Sequence, residues 1–439
     1  MKMFMRWTVS GIIGTGFALS LSAWAQSLEA FSSARQQEAG LYFCNMQRTA
    51  MVNSIAHYYC TVRVGLGQHD VIGLHRVVKE QRPYQPAKLA QAVMFFPGSP
   101  TYFEGLYAAP LLNPRAPAPD YGIAIYLAKN DIDVWGMDYR WALVPANTTD
   151  FTFMKDWGML RDVEDGEIAL TVARWMRGSL FEPARPFFLA GLSYGAQISY
   201  GVAADDSQRP WQLRNVKAII PLDCGVKYEG ADAQAEACAN LATSRQLKAS
   251  GVYYDDNRFM TQIGQLAVSD PTGVSPFDPD LDNYHFGLAV GAWPNSVAIP
   301  WHFVGSYLDQ NGNPTDLRYT EVPFWLEGFA TGIPPYSPVQ ADIEQSAVLC
   351  GKPDPDARYA DHVGDIRVPI LYVGAAGGFG QYGEYTTTLT ASHDVTTHIV
   401  QFLSDAQRSE DYGHADLVEA DNAAWMVWGV ILRWIQAHP

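Results

Sequence analysis

The chain has 439 residues, 48% of them apolar and 13% aromatic, with 30 basic against 46 acidic side chains for a formal charge of −16. That length can bury one large core carrying an insertion, or two domains. With no lysine- or arginine-rich stripe, nucleic acid and anionic membrane surfaces are poor partners, and the acidity favours solubility.

Lys2 and Arg6 precede an apolar stretch over residues 7–21, and Ala23-Trp24-Ala25 forms a small-x-small site before Gln26. This reads as a secretory signal peptide over 1–25, too short and wrongly flanked for a membrane span. The mature protein is therefore expected to be exported, periplasmic or extracellular, with no stable membrane anchor. Loss of two basic residues leaves 28 − 46 = −18 on it. In that setting the five cysteines imply disulfides with one thiol left over, and Cys44–Cys60 and Cys224–Cys238 are the simplest pairings.

Residues 26–57 show little periodicity and read as an N-terminal extension. Residues 58–65 and 71–78 read as an antiparallel hairpin across a Gly-Gln-His-Asp turn. The apolar run 92–96 is a buried strand, and 131–137 is another that ends at Asp138. Residues 162–177 form a helix with Ile168, Val172, Trp175 and Met176 on one face and acidic residues in its first turn. Further strands fall at 186–190, 216–222, 368–373 and 395–402. A final helix over 422–436 carries Trp425, Trp428, Ile431, Leu432 and Ile435. Strands alternating with helices, the strands almost continuously apolar, indicate a mostly parallel sheet covered on both faces. Between residues 222 and 368 the rhythm breaks, and aromatic residues interleave with proline and glycine over a stretch too long for a loop. That stretch is expected to be an inserted cap.

Directly after the strand at 186–190 comes Gly191-Leu192-Ser193-Tyr194-Gly195, followed by a segment able to start a helix. A sharp strand-to-helix turn of this kind exposes a serine above a sheet as a nucleophile. The glycines serve a turn that strains the serine backbone and draws neighbouring chains too close for a Cβ. A serine nucleophile needs a base, and His414, in Asp411-Tyr412-Gly413-His414-Ala415-Asp416, lies after the last strand on a loop able to approach the turn. The other histidines are less well placed: His57, His69 and His75 flank the hairpin, and His285 and His302 lie in the insertion.

The order of strand, serine turn and late histidine resembles the α/β-hydrolase superfamily from about residue 58 to the end, the insertion excepted. The resemblance implies a core in two parts, 58–224 and 366–439, with a cap over 225–365 inserted after strand six. Phe95-Phe96-Pro97-Gly98-Ser99-Pro100-Thr101 looks like the superfamily's oxyanion loop after strand three, with Pro97 where a histidine is common. By that resemblance the backbone N–H groups of Ser99 and Tyr194 form the oxyanion hole. The superfamily most often places the triad acid just beyond strand seven. Here that turn runs Gly374-Ala375-Ala376-Gly377-Gly378-Phe379-Gly380 without a carboxylate, and Glu384 is the first one reached. Some capped members carry the acid at the end of strand six, where this chain has Asp223. Asp223 is the preferred reading and Glu384 the alternative.

Asp278, Asp280 and Asp282 open like a calcium loop, but Asn283 stands where glycine is needed and Ala289 where glutamate is needed, so an EF-hand is rejected. No H-E-x-x-H, Walker loop or dinucleotide fingerprint is present, and no metal or cofactor is expected. The whole implies an exported serine esterase acting on a small-molecule or oligomeric ester with an apolar or aromatic group. A prolyl or tripeptidyl aminopeptidase-like peptidase or amidase is the first rival. A ligand-binding protein on the same scaffold that has lost its chemistry is the second.

Overall fold

The computed structural model describes residues 44–178 and 184–439. The expected signal peptide and the extension up to residue 43 lie outside these residues. The main sheet begins with a short edge strand, Gln47–Ala50, and continues with β1 (Ile55–Arg63), β2 (Val71–Arg82), β3 (Ala92–Phe96), β4 (Asp133–Asp138), β5 (Phe187–Leu192), β6 (Val216–Leu222), β7 (Ile370–Ala375) and β8 (Val395–Val400). Their spatial order after the edge strand is β1-β2-β4-β3-β5-β6-β7-β8. Strand β2 pairs antiparallel with both β1 and β4, and every pair from β4 to β8 is parallel. Boundaries differ from the sequence expectation by up to about four residues, the hairpin strands being longest because β2 continues to Arg82.

The pleat explains why these strands are apolar throughout. Val93 and Phe95 of β3, with Phe188, Ala190 and Leu192 of β5, face a layer holding α1 (Ile123–Lys129). Ala92, Met94 and Phe96, with Phe187 and Leu189, face the opposite layer, which holds α2 (Met159–Arg177) and α3 (Tyr194–Ser207). Period-two alternation buries both faces, so neither can be polar.

Between β6 and β7 the chain forms α4 (Ala231–Ala249), α5 (Arg258–Ser269), α6 (Asn283–Ala292), α7 (Val322–Thr331) and α8 (Val339–Cys350), with two small two-stranded sheets. The chain ends in α9 (Gly429–Ala437), entered through a π turn at Ala424–Trp428. Trp428, Ile431, Leu432 and Ile435 pack into the core, whereas Trp425 stands 80% exposed. The wider π turn takes Trp425 off the buried stripe. Trp175, expected on the buried face of α2, is likewise 76% exposed.

Cys44 and Cys60 form a disulfide, as the simplest pairing has it. The other expected pair, Cys224–Cys238, does not form. Cys238 on α4 is bonded to Cys350 at the end of α8, 112 residues further on, and Cys224 is a free buried thiol. Cys224 ends the β6 turn beside the Tyr228 hydroxyl at 2.9 Å, while α4 and α8 share an apolar seam that sets Cys238 against Cys350. No helix among the described residues is long and apolar enough to cross a membrane.

Candidate active site

Ser193 sits at the tip of the β5–α3 turn with φ 59° and ψ −122°, a left-handed conformation held by its surroundings. Its own N–H donates to the Leu222 carbonyl on β6 at 3.1 Å. The flanking glycines are required by contact distance. A Cβ on Gly191 would lie 2.3 Å from the Gly195 carbonyl carbon, and one on Gly195 would lie 1.9 Å from the Phe96 carbonyl oxygen. Tyr107 fastens the turn to β3: its hydroxyl accepts from the Leu192 N–H at 2.9 Å and donates to the Phe96 carbonyl at 2.8 Å. Tyr194 donates its hydroxyl to the buried carboxyl of Asp162 at 2.6 Å, and burial pushes that carboxyl up to about 7. Beyond β3, Gly98 lies beside Ser193, where a Cβ would make ordinary contact at 3.4 Å from Ser193 Cβ, and Ser99 shares a cavity wall with Ser193.

His414 is carried by a loop clamped on both sides. The carboxyl of Asp416 accepts from the N–H of Gly413 at 2.7 Å and of Gly305 at 2.8 Å, and from the Thr320 hydroxyl at 2.7 Å. Desolvation raises this fully buried carboxyl to about 7. Asp411 accepts from the N–H groups of Phe402, Leu403 and Tyr412. The backbone N–H of His414 itself donates to the His302 carbonyl at 2.9 Å, which ties the loop to the segment between β6 and β7. The rings of Trp301, Phe303 and Phe379 surround the imidazole edge to face, with centroids 5.2, 6.2 and 5.5 Å away.

The imidazole meets Asp223. His414 Nδ1 lies 2.8 Å from Asp223 Oδ2, and both residues are buried. Asp223 follows β6 with φ 49°, and its carboxylate also accepts from the N–H of Ala375 at 2.8 Å, Gly380 at 2.7 Å and Phe379 at 2.9 Å. The loop after β7 thus lacks a carboxylate of its own and instead supplies donors to the one from β6. It also supplies the room, since a Cβ on Gly378 would lie 1.9 Å from Asp223 Oδ2. Glu384 accepts from the Thr397 hydroxyl on β8 at 2.9 Å and is not brought to His414. His414 Nε2 is buried and has no hydrogen-bond partner among the described residues.

Two cavities open from this point. One is lined by Ser193 and His414 together with Leu106, Met260, Phe324, Trp325 and Phe329. Glu419 is the single ionisable carboxyl on its wall, and burial pushes that group up to about 8. The second also reaches Ser193 and Ser99 and has a mixed wall, with Glu236, Asn240, Asn295, Asp342 and Gln345 beside apolar and aromatic side chains.

Of the sequence candidates, the structure brings Ser193, His414, Asp223, Ser99 and Tyr194 to one place. His302 is held by the Val304 and Arg408 carbonyls, and His285 by Asp282, which caps α6. Asp278 accepts from the Asp280 N–H, a local turn. Sequence reading missed Tyr107, Asp416 and Glu419. Asp416 carried a local signal, a carboxylate two residues after the histidine at the start of a helical turn, whereas Tyr107 and Glu419 carried none.

No protein-family model matches the sequence, and no curated protein matches it. Among solved structures the chain is similar to a candidate lipase from Sulfolobus solfataricus, with TM-score 0.60 and 18% identity over 90% of this chain and 99% of that one. It is also similar to a thermophilic esterase from Thermogutta terrifontis, with TM-score 0.41 and 10% identity over 89% of this chain and 99% of that one. A monoglyceride lipase of Saccharomyces cerevisiae gives 0.42 and 11% over 90% and 96%. The first of these, with the strand order described above, settles the architecture: this chain has the α/β-hydrolase fold.

Proposed function

We propose that the protein is an exported serine hydrolase that cleaves carboxylic esters through an acyl-enzyme, with Ser193 as nucleophile, His414 as base and Asp223 as the acid that orients it. The observation that carries this reading is the 2.8 Å contact between His414 Nδ1 and Asp223, which leaves Nε2 unpaired on a cavity shared with Ser193. In the reaction, Nε2 takes the Ser193 proton as Oγ attacks the ester carbonyl carbon. The backbone N–H groups of Ser99 and Tyr194 stabilise the resulting oxyanion, a contribution of about 3–4 kcal/mol per well-placed donor. The carbon–oxygen bond to the alcohol then breaks, and the alcohol leaves with the proton from Nε2. Water, deprotonated by the same nitrogen, repeats the attack on the acyl-enzyme and releases the acid. Asp223, with three backbone donors fixing it, holds the proton of His414 on Nδ1 and stabilises the imidazolium.

The mostly apolar walls of the first cavity suit an apolar or aromatic acyl group, and the segment between β6 and β7 acts as the cap that shields the reaction from water. Two disulfides favour export. A peptidase or amidase reading draws on the second cavity, where Glu236 and Asp342 offer carboxyl groups to a substrate amine. Fluorophosphonate labelling of the wild type and of Ser193→Ala tests the nucleophile. Loss of label in the variant is the expected result, and a folded wild type that does not label overturns the proposal. Nitrophenyl esters turned over in preference to aminoacyl-naphthylamides decide for the esterase.

A further inference from the structure

Away from the serine, on the antiparallel side of the sheet, lies a second cluster of chemically capable side chains. His57 on β1 and His75 on β2 are 3% and 1% exposed, and their rings stack with Nε2 of His57 only 3.0 Å from Nδ1 of His75. Glu104, on the short helix Phe103–Tyr107, brings Oε1 to 3.7 Å from His57 Nδ1 and 4.0 Å from His75 Nδ1. One donor atom from each of the three residues lies within 4.8 Å of the other two. Behind them, His75 Nε2 lies 2.9 Å from Asp138 Oδ2.

We propose that His57, His75 and Glu104 form a binding site for a divalent transition-metal ion of the zinc type, oriented from behind by Asp138.

Three features carry it. The donor set, two imidazoles and one carboxylate, is the chemistry that Zn²⁺ takes, with water completing the tetrahedron. Ligands about 2.0–2.1 Å from a tetrahedral metal stand roughly 3.3 Å apart, and His57 Nε2 and His75 Nδ1 are already 3.0 Å apart, while Glu104 Oε1, 4.0 Å from His75 Nδ1, has to move inward. The ion replaces the hydrogen bond the two rings share, and His57 moves its proton to Nδ1, the nitrogen that faces Glu104. Second, the Asp138 carboxylate accepting from His75 Nε2–H leaves Nδ1 as the ligand nitrogen, the carboxylate–histidine–metal arrangement that fixes a tautomer and a ring angle. Tyr59 and Phe103 pack on the faces of His75 at 4.8 and 4.7 Å and keep the ring in place. Third, the charge is unbalanced without an ion. Among the described residues neither Glu104 nor Asp138 forms an ion pair with a lysine or arginine, and the only ionisable groups in salt-bridge reach of either are histidines. A dication balances the two carboxylates.

The site has a structural consequence. Asp138 also accepts from the Phe103 N–H at 2.8 Å, and the helix carrying Glu104 follows the Gly98–Ser99 loop. A bound ion ties β1, β2 and that helix together, and so braces the segment that positions the loop beside Ser193. No sequence motif announced it, because the ligands come from two strands and a helix, 18 and 29 residues apart.

The test uses the full protein, stripped with chelator, dialysed and titrated with Zn²⁺ by calorimetry and with Co²⁺ by visible absorption. Saturable binding of one high-affinity ion, tetrahedral Co²⁺ bands and a raised Tm with Zn²⁺ are expected for the wild type. Glu104→Gln, which keeps size and lies partly exposed, and His57→Gln each weaken that affinity by at least about tenfold and abolish the Tm shift, and Asp138→Asn weakens it by about 10–100-fold. Should His57→Gln fail to fold, Glu104→Gln decides alone. Absence of saturable binding by the folded wild type, or affinity in folded Glu104→Gln equal to wild type, overturns the proposal. Neither result bears on the esterase reading, which labelling at Ser193 tests separately.

Discussion

Replacing Asp223 by asparagine is the sharpest test of the proposed triad. The carboxylate accepts four hydrogen bonds, from the N–H groups of Ala375 and Gly380 on Oδ1 and from Phe379 and His414 on Oδ2. An asparagine can keep its oxygen in only one of these positions. With the oxygen at Oδ1, the NH₂ group faces the Phe379 N–H and donates to His414 Nδ1, which must then give up its proton. Two charge-assisted hydrogen bonds are lost, at about 1.5–3 kcal/mol each, and Tm should fall markedly. The larger effect is on the base. With Nδ1 accepting, Nε2 carries the proton and cannot take one from Ser193, and kcat/KM should fall by about 10⁴, or roughly 5 kcal/mol of transition-state stabilisation. Glu384→Gln exchanges one acceptor for the Thr397 hydroxyl and should leave kcat/KM unchanged. The assay is nitrophenyl ester hydrolysis, with near-ultraviolet circular dichroism to establish that each variant is folded. A folded Asp223→Asn within about tenfold of wild type, or a Glu384→Gln equally impaired, would refute the assignment.

Gly195→Ala places a Cβ 1.9 Å from the Phe96 carbonyl and should abolish labelling at Ser193 even where some folded protein is recovered. Breaking the Cys238–Cys350 bridge with Cys350→Ser should lower stability by up to about 5 kcal/mol in a chain-entropy account of a 112-residue loop, whereas Cys224→Ala should change it by about 1 kcal/mol or less in chemical denaturation. Glu419, raised to about 8 by burial with the nearby Asp416 adding to it, keeps its proton in the folded state between its ordinary unfolded range and that value. The folded state therefore binds more protons than the unfolded one across this window, and stability falls as pH rises through it. Glu419→Gln should remove this part of the slope and stabilise the protein at pH 8.5 relative to wild type by on the order of 3 kcal/mol, with little change at pH 5. Equal Tm differences at the two pH values would show that Glu419 is ionised in its cavity.

What was legible in the sequence follows from how local each signal is. Gly191-Leu192-Ser193-Tyr194-Gly195 announces its turn because both glycines are forced by close contacts, Gly191 against Gly195 inside the turn and Gly195 against Phe96 on the neighbouring strand β3. His414 was legible from its order in the chain and its loop, and Asp411 and Asp416, which clamp that loop, stand in the same six residues. The disulfides were half legible: Cys44 and Cys60 are near in sequence, while Cys238 finds Cys350 only because α4 and α8 pack together across the inserted segment. Exposure of Trp175 and Trp425 was not legible, since helical periodicity marks a stripe but not where a helix edge meets solvent.

The acid shows how an absence can be informative once the fold is known. The loop after β7 reads Gly377-Gly378-Phe379-Gly380, and taken alone it looks like a triad missing a member. In the structure Gly378, Phe379 and Gly380 of this loop serve the carboxylate that arrives from β6 or the histidine beside it. Phe379 and Gly380 turn their N–H groups onto Asp223, Gly378 vacates the volume the carboxylate fills, and the Phe379 ring closes over His414. A side-chain carboxylate at the usual place after β7 would compete for the same donors and set two negative charges within a buried pocket, which burial makes costly. Of the glycines after β7, Gly378 is the one whose missing Cβ makes room for Asp223, while Gly377 lies against His302 and Gly380 against the Ala375 carbonyl. Grafting a carboxylate onto the loop, as in Gly378→Asp, should therefore abolish the proposed activity rather than supply a second triad.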